Sequence, residues 1–400
     1  MENAVAAISR PRDGQRQLLV DVSALIHQDL KTGIQRVVRS VLLSLMASPP
    51  AGLRVEPVFS LGGNCSYQYA CDLALSTTEK PERQQQTEPV KLGRGDVFLG
   101  LDLSISGTAQ NRQLLQSMRE HGVGVYFVVY DILPILRPDT FPVEIKQDFS
   151  AYLDTISSVS DGLVCISRAV ADELTDWLAQ HPPQRQTPLK IGHFHLGADI
   201  DASAPSFGLP HDFEQVLHCV SLRPSFLMVG TVEPRKGHEQ TLSAFDLLWK
   251  QGIDVNLVVV GKDGWMMEHV VLRMKTHSER KNRLFWLPDA TDEMLLTLYR
   301  SASALVAASE GEGFGLPLIE AARHGLPIIS RELPVFVEIA GAHAHYFKGF
   351  KPHDLSEAIQ TWTAMNHQGS IPLSTKIPWL TWEQSTQQLL DVVERGNWLG

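Results

Sequence analysis

The stretch SFLMVGTVEPRKGHEQTLSAFDLLWKQGIDVNLVVVG, residues 225–261, decides the fold. Its two ends, residues 225–232 and 255–261, are short apolar runs rich in β-branched residues, which is typical of strands buried on both faces of a parallel sheet. Between them, residues 237–251 repeat apolar side chains at helical spacing. A strand, a helix and a second strand in this order predict a parallel βαβ unit with a right-handed crossover.

The same alternation of strand and helix candidates continues on both sides of this stretch. In the second half of the chain, strand candidates lie at 284–288, 304–309 and 327–330, and helix candidates at 291–302 and 317–325. In the first half, strand candidates lie at 18–25, 96–101, 122–132 and 161–167, and helix candidates at 32–48 and 168–181. The chain is therefore predicted to be an α/β protein with two parallel sheets, whose ligands bind at the carboxyl ends of the strands.

The domain organisation follows from a break in this pattern. Residues 197 to about 222 are rich in Ala, Ser, Pro and Gly without clear periodicity, so the linker is placed there. We predict an N-terminal Rossmann-like domain at 1–205, a second one at 206–380 and a C-terminal helix at 381–400. The two sheets are expected to face each other across a central cleft.

Composition excludes several classes of function. A 400-residue chain with 20% charged and 44% hydrophobic residues has the balance of a globular enzyme, and its net charge of -10 argues against nucleic-acid binding. The four cysteines show no zinc or disulfide spacing, which favours a reducing cytoplasm; they are Cys65, Cys71, Cys165 and Cys219. No apolar run approaches the ~20 residues of a membrane span, so secretion and insertion are not expected. Peripheral attachment to the inner face of the membrane stays open.

The loop GTVEPRKGHEQ directly follows a strand candidate, so Arg235 and Lys236 should lie at a carboxyl strand end. An Arg offers a planar fork to phosphate oxygens and a Lys offers a compact charge, so the pair could neutralise a diphosphate leaving group. The alternative is that both side chains are solvated, as adjacent basic residues in loops usually are. In the first half, Gly33 could let the backbone approach a phosphate or sugar at a helix start, or could simply make a tight turn.

A second loop and helix, EGEGFGLPLIEAARHGLP at residues 310–327, carries two carboxylates. Pro317 and Gly325 mark the two ends of the helix, so Glu312 should lie in the loop and Glu320 on the helix. Glycines between them would leave backbone N–H groups free to face an anion. The alternative is that both carboxylates are surface partners of the helix dipole.

These motifs together carry a family resemblance. The spacing from Glu312 to Glu320 is E-x7-E, and it occurs with VGTVEPRKGHEQTLSAF, VVVGKDGW, HLGAD and VCISRAVADEL. The combination resembles the retaining glycosyltransferases of family 4, which have the GT-B fold, over about residues 18–382. It is most similar to bacterial enzymes that add mannose, rhamnose or related sugars to surface polysaccharides. The resemblance implies hexosyl transfer with retention from a nucleotide diphosphate sugar to a hydroxyl of a glycan or lipid-linked acceptor.

The resemblance also implies roles for individual residues. Arg235 and Lys236 would bind the donor diphosphate, Glu320 the ribose, and Glu312 would lie near the donor hexose. The remaining donor-site candidates are the backbone of Gly313, Phe314 and Gly315 for the sugar and phosphate, Lys262 and Leu287 for the base, and also Leu316 and, from the first domain, Gly33. The C-terminal helix would return to the N-terminal domain.

The chain departs from the family pattern at one position. Many relatives have a His–Asp pair after the strand at 122–132, where this chain has Tyr130 and Asp131. Tyr130 is a poor base near neutral pH. Asp131 either binds the acceptor or orients the donor, or it simply caps a turn. The leaving phosphate oxygen would then take the acceptor proton in a front-side attack. The spaced carboxylates at 199–201 are not expected to bind a metal.

No resident cofactor is predicted, and the donor expected first is GDP-mannose, followed by GDP- or dTDP-linked deoxyhexoses. The expected partners are this donor and a glycan or lipid-linked oligosaccharide acceptor, and the expected location is the cytoplasm. Two other functions stay open: a nucleotide-sugar epimerase on the same architecture, and a non-catalytic nucleotide-sugar-binding protein.

Overall fold

In the computed structural model, the described residues are 14–60, 66–70 and 88–399. Cys65, Cys71 and most of the polar segment around them lie outside these ranges. The chain divides into two compact units. Unit 1 comprises Met1–Ile135, Val143–Ala204 and Leu380–Gly400, and unit 2 comprises Leu136–Pro142 and Pro205–Trp379.

Unit 1 is built on a sheet that has seven strands within the described residues. Its strands are β1 (Arg16–Asp21), β2 (Leu53–Ser60), β3 (Tyr67–Tyr69), β4 (Val97–Gly100), β5 (Gly124–Val129), β6 (Gly162–Cys165) and β7 (Lys190–His193). Its helices are α1 (Ser23–His27), α2 (Gly33–Ala47), α3 (Ile105–Gln110), α4 (Arg112–Glu120), α5 (Leu133–Leu136, which ends at the unit boundary), α6 (Val143–Val159), α7 (Arg168–Gln180) and, near the C-terminus, α15 (Trp382–Arg395). The strand order is β3-β2-β1-β4-β5-β6-β7, and all neighbours are parallel except the antiparallel pair β2 and β3.

Unit 2 is built on a sheet of six parallel strands in the order β10-β9-β8-β11-β12-β13. These strands are β8 (Ser225–Val229), β9 (Asn256–Val260), β10 (Leu284–Leu287), β11 (Ala304–Ala307), β12 (Ile328–Arg331) and β13 (His345–Phe347). The helices are α8 (His211–Leu222), α9 (His238–Lys250), α10 (Glu268–Thr276), α11 (Asp292–Ser301), α12 (Leu316–Arg323), α13 (Pro334–Ala340) and α14 (Pro352–His367).

The buried core of unit 2 accounts for the regular alternation of strand and helix candidates in its sequence. All five residues of β9 are buried, and apolar residues from α9 and α14 pack with those of the sheet. Because β8 lies between β9 and β11 in a parallel sheet, the loops that follow these three strands meet at one edge. That edge is where the predicted donor-site motifs lie.

The structure confirms the predicted α/β class and corrects two of the predicted elements. The segment at 197–222 is not all linker, because its second half forms α8, with Phe213, Val216 and Val220 buried at helical spacing. The main part of unit 2 begins at Pro205, within this segment and next to the boundary predicted at 205/206. The strand predicted at 18–25 ends at Asp21, and Ser23 begins the short helix α1. Within the described ranges, none of the helices combines the length and apolar character needed to cross a bilayer.

Candidate active site

Two loops of unit 2 meet at the carboxyl edge of its sheet: the loop after β8, residues 230–237, and the loop after β11, residues 308–315. Gly237 closes the first loop with φ +77°, and a Cβ atom at this position would collide with the backbone of Ala308. A side chain at Gly237 would therefore separate the two loops. Their close approach brings the side chains of the PRK and EGEG motifs together.

Glu312 lies at the centre of a charge cluster formed by these loops. Its Oε1 atom is 2.6 Å from the Lys236 Nζ atom, and its Oε2 atom is 3.1 Å from an Arg235 Nη1 atom. The Ser309 hydroxyl donates a further hydrogen bond of 2.7 Å to Oε1. Arg235 also pairs with Glu233 at 2.7 Å. The structure thus brings together three of the predicted residues, Glu312, Arg235 and Lys236.

The cluster sets the charge of Glu312. Its side chain is only 11% exposed, and burial by itself would raise the pKa of the carboxyl. The charges of Lys236 and Arg235 and the hydrogen bonds from Lys236 and Ser309 outweigh burial and lower the pKa of Glu312 to about 2. The carboxylate is therefore ionised at neutral pH, and it cannot donate a proton.

The start of α12 completes this edge of unit 2. Gly315 has φ +103°, and a Cβ atom there would lie 2.7 Å from the Phe336 ring, so the turn into the helix requires glycine. The N-cap residue is Gly315, which has no side chain to cap the helix start, and the first N–H groups carry the positive end of the helix dipole. A pocket here is lined by residues from β8, β11 and α12 and includes Lys236, Ser309, Glu312 and Gly315. The pocket joins a fixed ammonium to a helix N-terminus, two features that attract an anion.

Glu320 lies deeper, on the buried side of α12. It is 3% exposed, and its Oε2 atom accepts a hydrogen bond of 2.7 Å from the Tyr299 hydroxyl on α11. The alternative in which Glu320 is a surface partner of the helix dipole is therefore wrong. Its predicted contact with the donor ribose stays a prediction.

Replacing Tyr299 with phenylalanine is expected to lower the free energy of unfolding by roughly 1–3 kcal/mol, because the buried Glu320 carboxyl loses a hydrogen-bond donor while the ring packing is kept. Urea denaturation measures the change. Tyr346→Phe is the matched control, since the half-exposed Tyr346 hydroxyl donates only to backbone carbonyls. Equal losses in the two variants would contradict a special role for the Tyr299–Glu320 pair.

The other donor-site candidates lie on neighbouring parts of unit 2. Lys262 is exposed on the loop after β9, and its carbonyl accepts the Val232 N–H at 2.8 Å, next to the loop that carries Arg235. Leu287 ends β10, and its carbonyl accepts the Gly261 N–H at 3.2 Å. Leu316 is the first residue of α12. The Phe314 side chain is buried, so this residue can offer a ligand only its backbone.

Sequence reasoning missed Arg331, the residue that supports the loop after β11. Its Nε atom donates to the Ser309 carbonyl at 2.9 Å, and its Nη2 atom donates to the Ala308 carbonyl at 3.0 Å. The guanidinium is buried against Phe347 and Phe350, and burial lowers its pKa. The sequence does carry a signal for this role: Arg331 ends the buried strand β12, and a buried charge must have hydrogen-bonding partners.

Two predicted residues, Gly33 and Asp131, belong to unit 1. Gly33 is the exposed first residue of α2, whose start is capped by Thr32. Asp131 accepts the Leu133 N–H at 3.0 Å and so caps a turn, while its predicted contact with acceptor or donor stays a prediction. The Tyr130 hydroxyl donates to the Leu101 carbonyl at 2.8 Å in the core, and burial raises its pKa well above its ordinary value. Tyr130 therefore cannot act as a base.

The carboxyl edge of the unit 1 sheet also holds two buried carboxyl groups. Asp21 ends β1 and accepts hydrogen bonds from Ser23 and Tyr67, and Asp102 follows β4 and accepts the Leu25 N–H at 2.7 Å. Burial raises the pKa of Asp21 to about 7 despite the Ser23 hydrogen bond, and the nearby Asp102 contributes to the increase. Burial likewise raises the pKa of Asp102 to about 6.

Asp21→Asn is expected to reduce the pH dependence of stability between the ordinary pKa of 3.8 and the folded value of about 7. In this window the folded chain holds a proton on Asp21 that the unfolded chain releases, so the free energy of unfolding falls as pH rises, by roughly 4 kcal/mol in all. Urea denaturation across the window measures the slope. Asp172→Asn, at an exposed carboxylate paired with Arg168, is the control, and an equal change of slope there would contradict the assignment.

The carboxylates at 199–201 serve the backbone, since Asp199 accepts the Trp382 N–H at 2.7 Å. Over residues 14–60, 66–70 and 88–399, no group of three or more His, Cys, Asp or Glu side chains is arranged to hold a metal ion. The predicted independence from metal stays a prediction.

Sequence comparisons identify similar proteins. Residues 219–369 match the family described as glycosyl transferases group 1. Over 94% of its length the chain is 44% identical to the serotype-specific mannosyltransferase WbdA of Escherichia coli, and it covers 46% of that protein. It is also 33% identical, over 29% of its length, to 30% of O-antigen chain mannosyltransferase B of Escherichia coli. The chain spans less than half the length of the WbdA relatives it matches.

Solved structures show the same fold at low identity. The E. coli trehalose-6-phosphate structure bound with UDP-2-fluoro glucose superposes with a TM-score of 0.59 at 11% identity, over 95% of each chain. Anabaena Alr3699/HepE in complex with UDP and glucose superposes with a TM-score of 0.57 at 13% identity, over 96% of this chain and 97% of the other. These likenesses confirm the predicted GT-B fold class.

Proposed function

We propose that this chain, whose residues 219–369 match the family described as glycosyl transferases group 1, transfers a hexosyl group from a nucleotide diphosphate sugar to a hydroxyl of a glycan. The observation that carries the proposal is the cluster of Glu312, Lys236 and Arg235 beside the uncapped start of α12. The Lys236 ammonium and a helix N-terminus at one pocket suit the charge that a departing diphosphate develops, and Arg235 adds a second cation on the other oxygen of Glu312.

Lys236 has the position to stabilise the leaving group. Its ammonium has three N–H donors, and Glu312 accepts one of them at 2.6 Å. The other donors can serve phosphate oxygens whose negative charge grows as the bond to the sugar breaks. Glu312 and Ser309 hold the ammonium in one place, so little reorganisation is needed during the reaction. Arg235 links Glu233 and Glu312 and adds a second fixed cation at the same edge.

The proposed reaction proceeds with retention and without a metal ion. The bond from the anomeric carbon to the diphosphate oxygen breaks, the acceptor oxygen forms its bond on the same face, and the departing phosphate oxygen takes the acceptor proton. This route needs no strong base, in agreement with a buried Tyr130 hydroxyl and an ionised Glu312. Glu320 would hold the ribose, and the backbone of residues 313–315 would contact sugar hydroxyls and phosphate.

We propose GDP-mannose as the donor and a glycan or lipid-linked oligosaccharide as the acceptor. The support is the similarity to proteins named mannosyltransferases, over 94% of the chain for WbdA. Because those relatives are more than twice as long as the matched segment, the acceptor, the linkage and any contact with a membrane belong to the proposal. The proposed location is the cytoplasm.

Donor screening followed by a transfer assay tests the proposal. The chain is screened by thermal shift against GDP-, UDP- and dTDP-linked sugars, and the best binder is then incubated with a mannose-terminated oligosaccharide, with and without EDTA. We expect nucleoside diphosphate release that requires the acceptor and is insensitive to EDTA, and an axial glycosidic bond in the product. A free epimerised sugar without acceptor would identify an epimerase. Binding without turnover would identify a sensor.

A further inference from the structure

A short segment, residues 136–142, has an unusual place in the fold. The residues before it, up to Ile135, and those after it, from Val143, belong to unit 1, whereas Leu136–Pro142 belongs to unit 2. Its centre is a single 3₁₀ turn, Pro138–Thr140, closed by the Thr140 N–H donating to the Arg137 carbonyl at 3.0 Å. The segment is thus a compact turn that packs with unit 2.

One end of this segment binds the loop after β11. The Arg137 Nη2 atom lies 2.9 Å from the Glu310 Oε2 atom, and its Nη1 atom donates to the Glu310 carbonyl at 3.2 Å. A planar guanidinium therefore contacts both the side chain and the main chain of one residue, a geometry that lysine cannot reproduce. The pair is partly buried, with side-chain exposures of 32% and 25%.

The other end of the segment binds the loop after β9. The Trp265 indole N–H donates to the Thr140 carbonyl at 3.0 Å, and the Phe141 and Trp265 rings have their centroids 5.8 Å apart. Because β8 lies between β9 and β11, the segment joins the two loops that flank the one carrying Arg235 and Lys236. It fixes these flanking loops relative to each other.

Glu310 connects the segment to the charge cluster. Its N–H donates to the Arg235 carbonyl at 2.7 Å, and the next carbonyl, that of Gly311, accepts from the Arg235 guanidinium at 3.1 Å. Glu310 is two residues from Glu312 in the same loop, so the Arg137 contact lies next to the carboxylate that holds Lys236. The contacts run without a gap from Arg137 through Glu310 to Arg235.

We propose that Arg137 is a positioning residue for the transfer reaction, which holds residues 308–315 so that Glu312 keeps Lys236 and Arg235 in place. The inference rests on the proposed function and extends it to a residue that need not touch the donor. It implies that losing the Arg137–Glu310 contact lowers turnover more than donor affinity, because the pocket persists while its cations are less well fixed.

The test compares Arg137→Gln, Arg137→Lys, Glu310→Gln and the double variant Arg137→Gln/Glu310→Gln. Donor KM and kcat, GDP affinity and the melting temperature are measured for each. Arg137→Gln is expected to lower kcat by about tenfold to a hundredfold with less change in GDP affinity. Arg137→Lys should recover part of kcat, and the double variant should lose little more than Arg137→Gln alone. Arg168→Ala, at an exposed pair with Asp172 in unit 1, is the matched control with unchanged kcat.

A second readout does not depend on turnover. Hydrogen exchange of residues 308–315 should be faster in Arg137→Gln than in wild type and unchanged in Arg168→Ala. Unaltered exchange and kcat in Arg137→Gln, or additive losses in the double variant, would overturn the inference. If wild type itself shows no donor-dependent turnover, the proposed function fails, and the exchange data alone then decide whether Arg137 fixes this loop.

Discussion

Lys236→Ala is expected to lower turnover by about a hundredfold to a thousandfold, which corresponds to roughly 2.7–4 kcal/mol of transition-state stabilisation. The Lys236 ammonium is a fixed positive charge, 2.6 Å from Glu312, at the edge where the departing diphosphate would gain charge. Because this charge grows as the sugar bond breaks, the interaction is stronger in the transition state than in the bound donor. Donor affinity should therefore fall much less than turnover. Steady-state kinetics and calorimetric binding of GDP measure the two quantities.

Two further variants make this result specific. Lys348→Ala removes a lysine from an exposed pair with Glu332 in the same unit, so it should leave both quantities unchanged. Lys236→Arg keeps the charge but changes its shape, and it should recover turnover in part. If Lys236→Ala lowers affinity and turnover by the same factor, Lys236 binds donor and transition state equally, and its assignment to the leaving group is wrong.

The parts of the fold that the sequence predicted are those set by local chemistry. The five buried residues of β9 read as a continuous apolar run, and Pro317 and Gly325 bracket α12 because one suits the first turn and the other has φ +70° just past its end. In a parallel sheet, loops that follow neighbouring strands lie at the same edge. The PRK and EGEG loops could therefore be assigned to the carboxyl edge before any side-chain contact was known. By contrast, the sequence did not predict α8. Only three of its residues, Phe213, Val216 and Val220, are buried, and the helix follows directly on a segment rich in Pro and Ser.

The contacts within the site could not be predicted, because they join residues far apart in the chain. Arg137 and Glu310 are 173 positions apart, and Tyr299 and Glu320 are 21 positions apart on different helices. Nothing in the residue types says that Glu312 contacts both basic residues. Spacing identifies which elements carry polar side chains, whereas packing decides which of those side chains meet.

Glu312→Ala is expected to lower the free energy of unfolding at neutral pH by about 3 kcal/mol, the low end of the cost of breaking a buried ion pair. The side chains of Arg235 and Lys236 are 15% and 17% exposed, so water replaces the lost carboxylate poorly. Arg235 keeps Glu233, and Lys236 loses the carboxylate closest to it. Turnover should also fall, because the ammonium is no longer fixed. Urea denaturation and the transfer assay measure the two effects.

The pH dependence of this difference identifies its electrostatic origin. The pKa of Glu312 is about 2 in the folded chain against an ordinary value of 4.5, so its contribution is present above pH 4.5 and is lost as pH falls towards 2. The gap in stability between wild type and Glu312→Ala should therefore shrink through this window, and Asp21 does not affect the gap because both chains contain it. Glu332→Ala, at the exposed pair with Lys348, should cost less than about 1 kcal/mol at neutral pH. The difference in free energy of unfolding between wild type and Glu312→Ala could instead be the same at pH 2 and pH 4.5. The lost stability would then arise from packing, and the cluster would not hold its cations by charge.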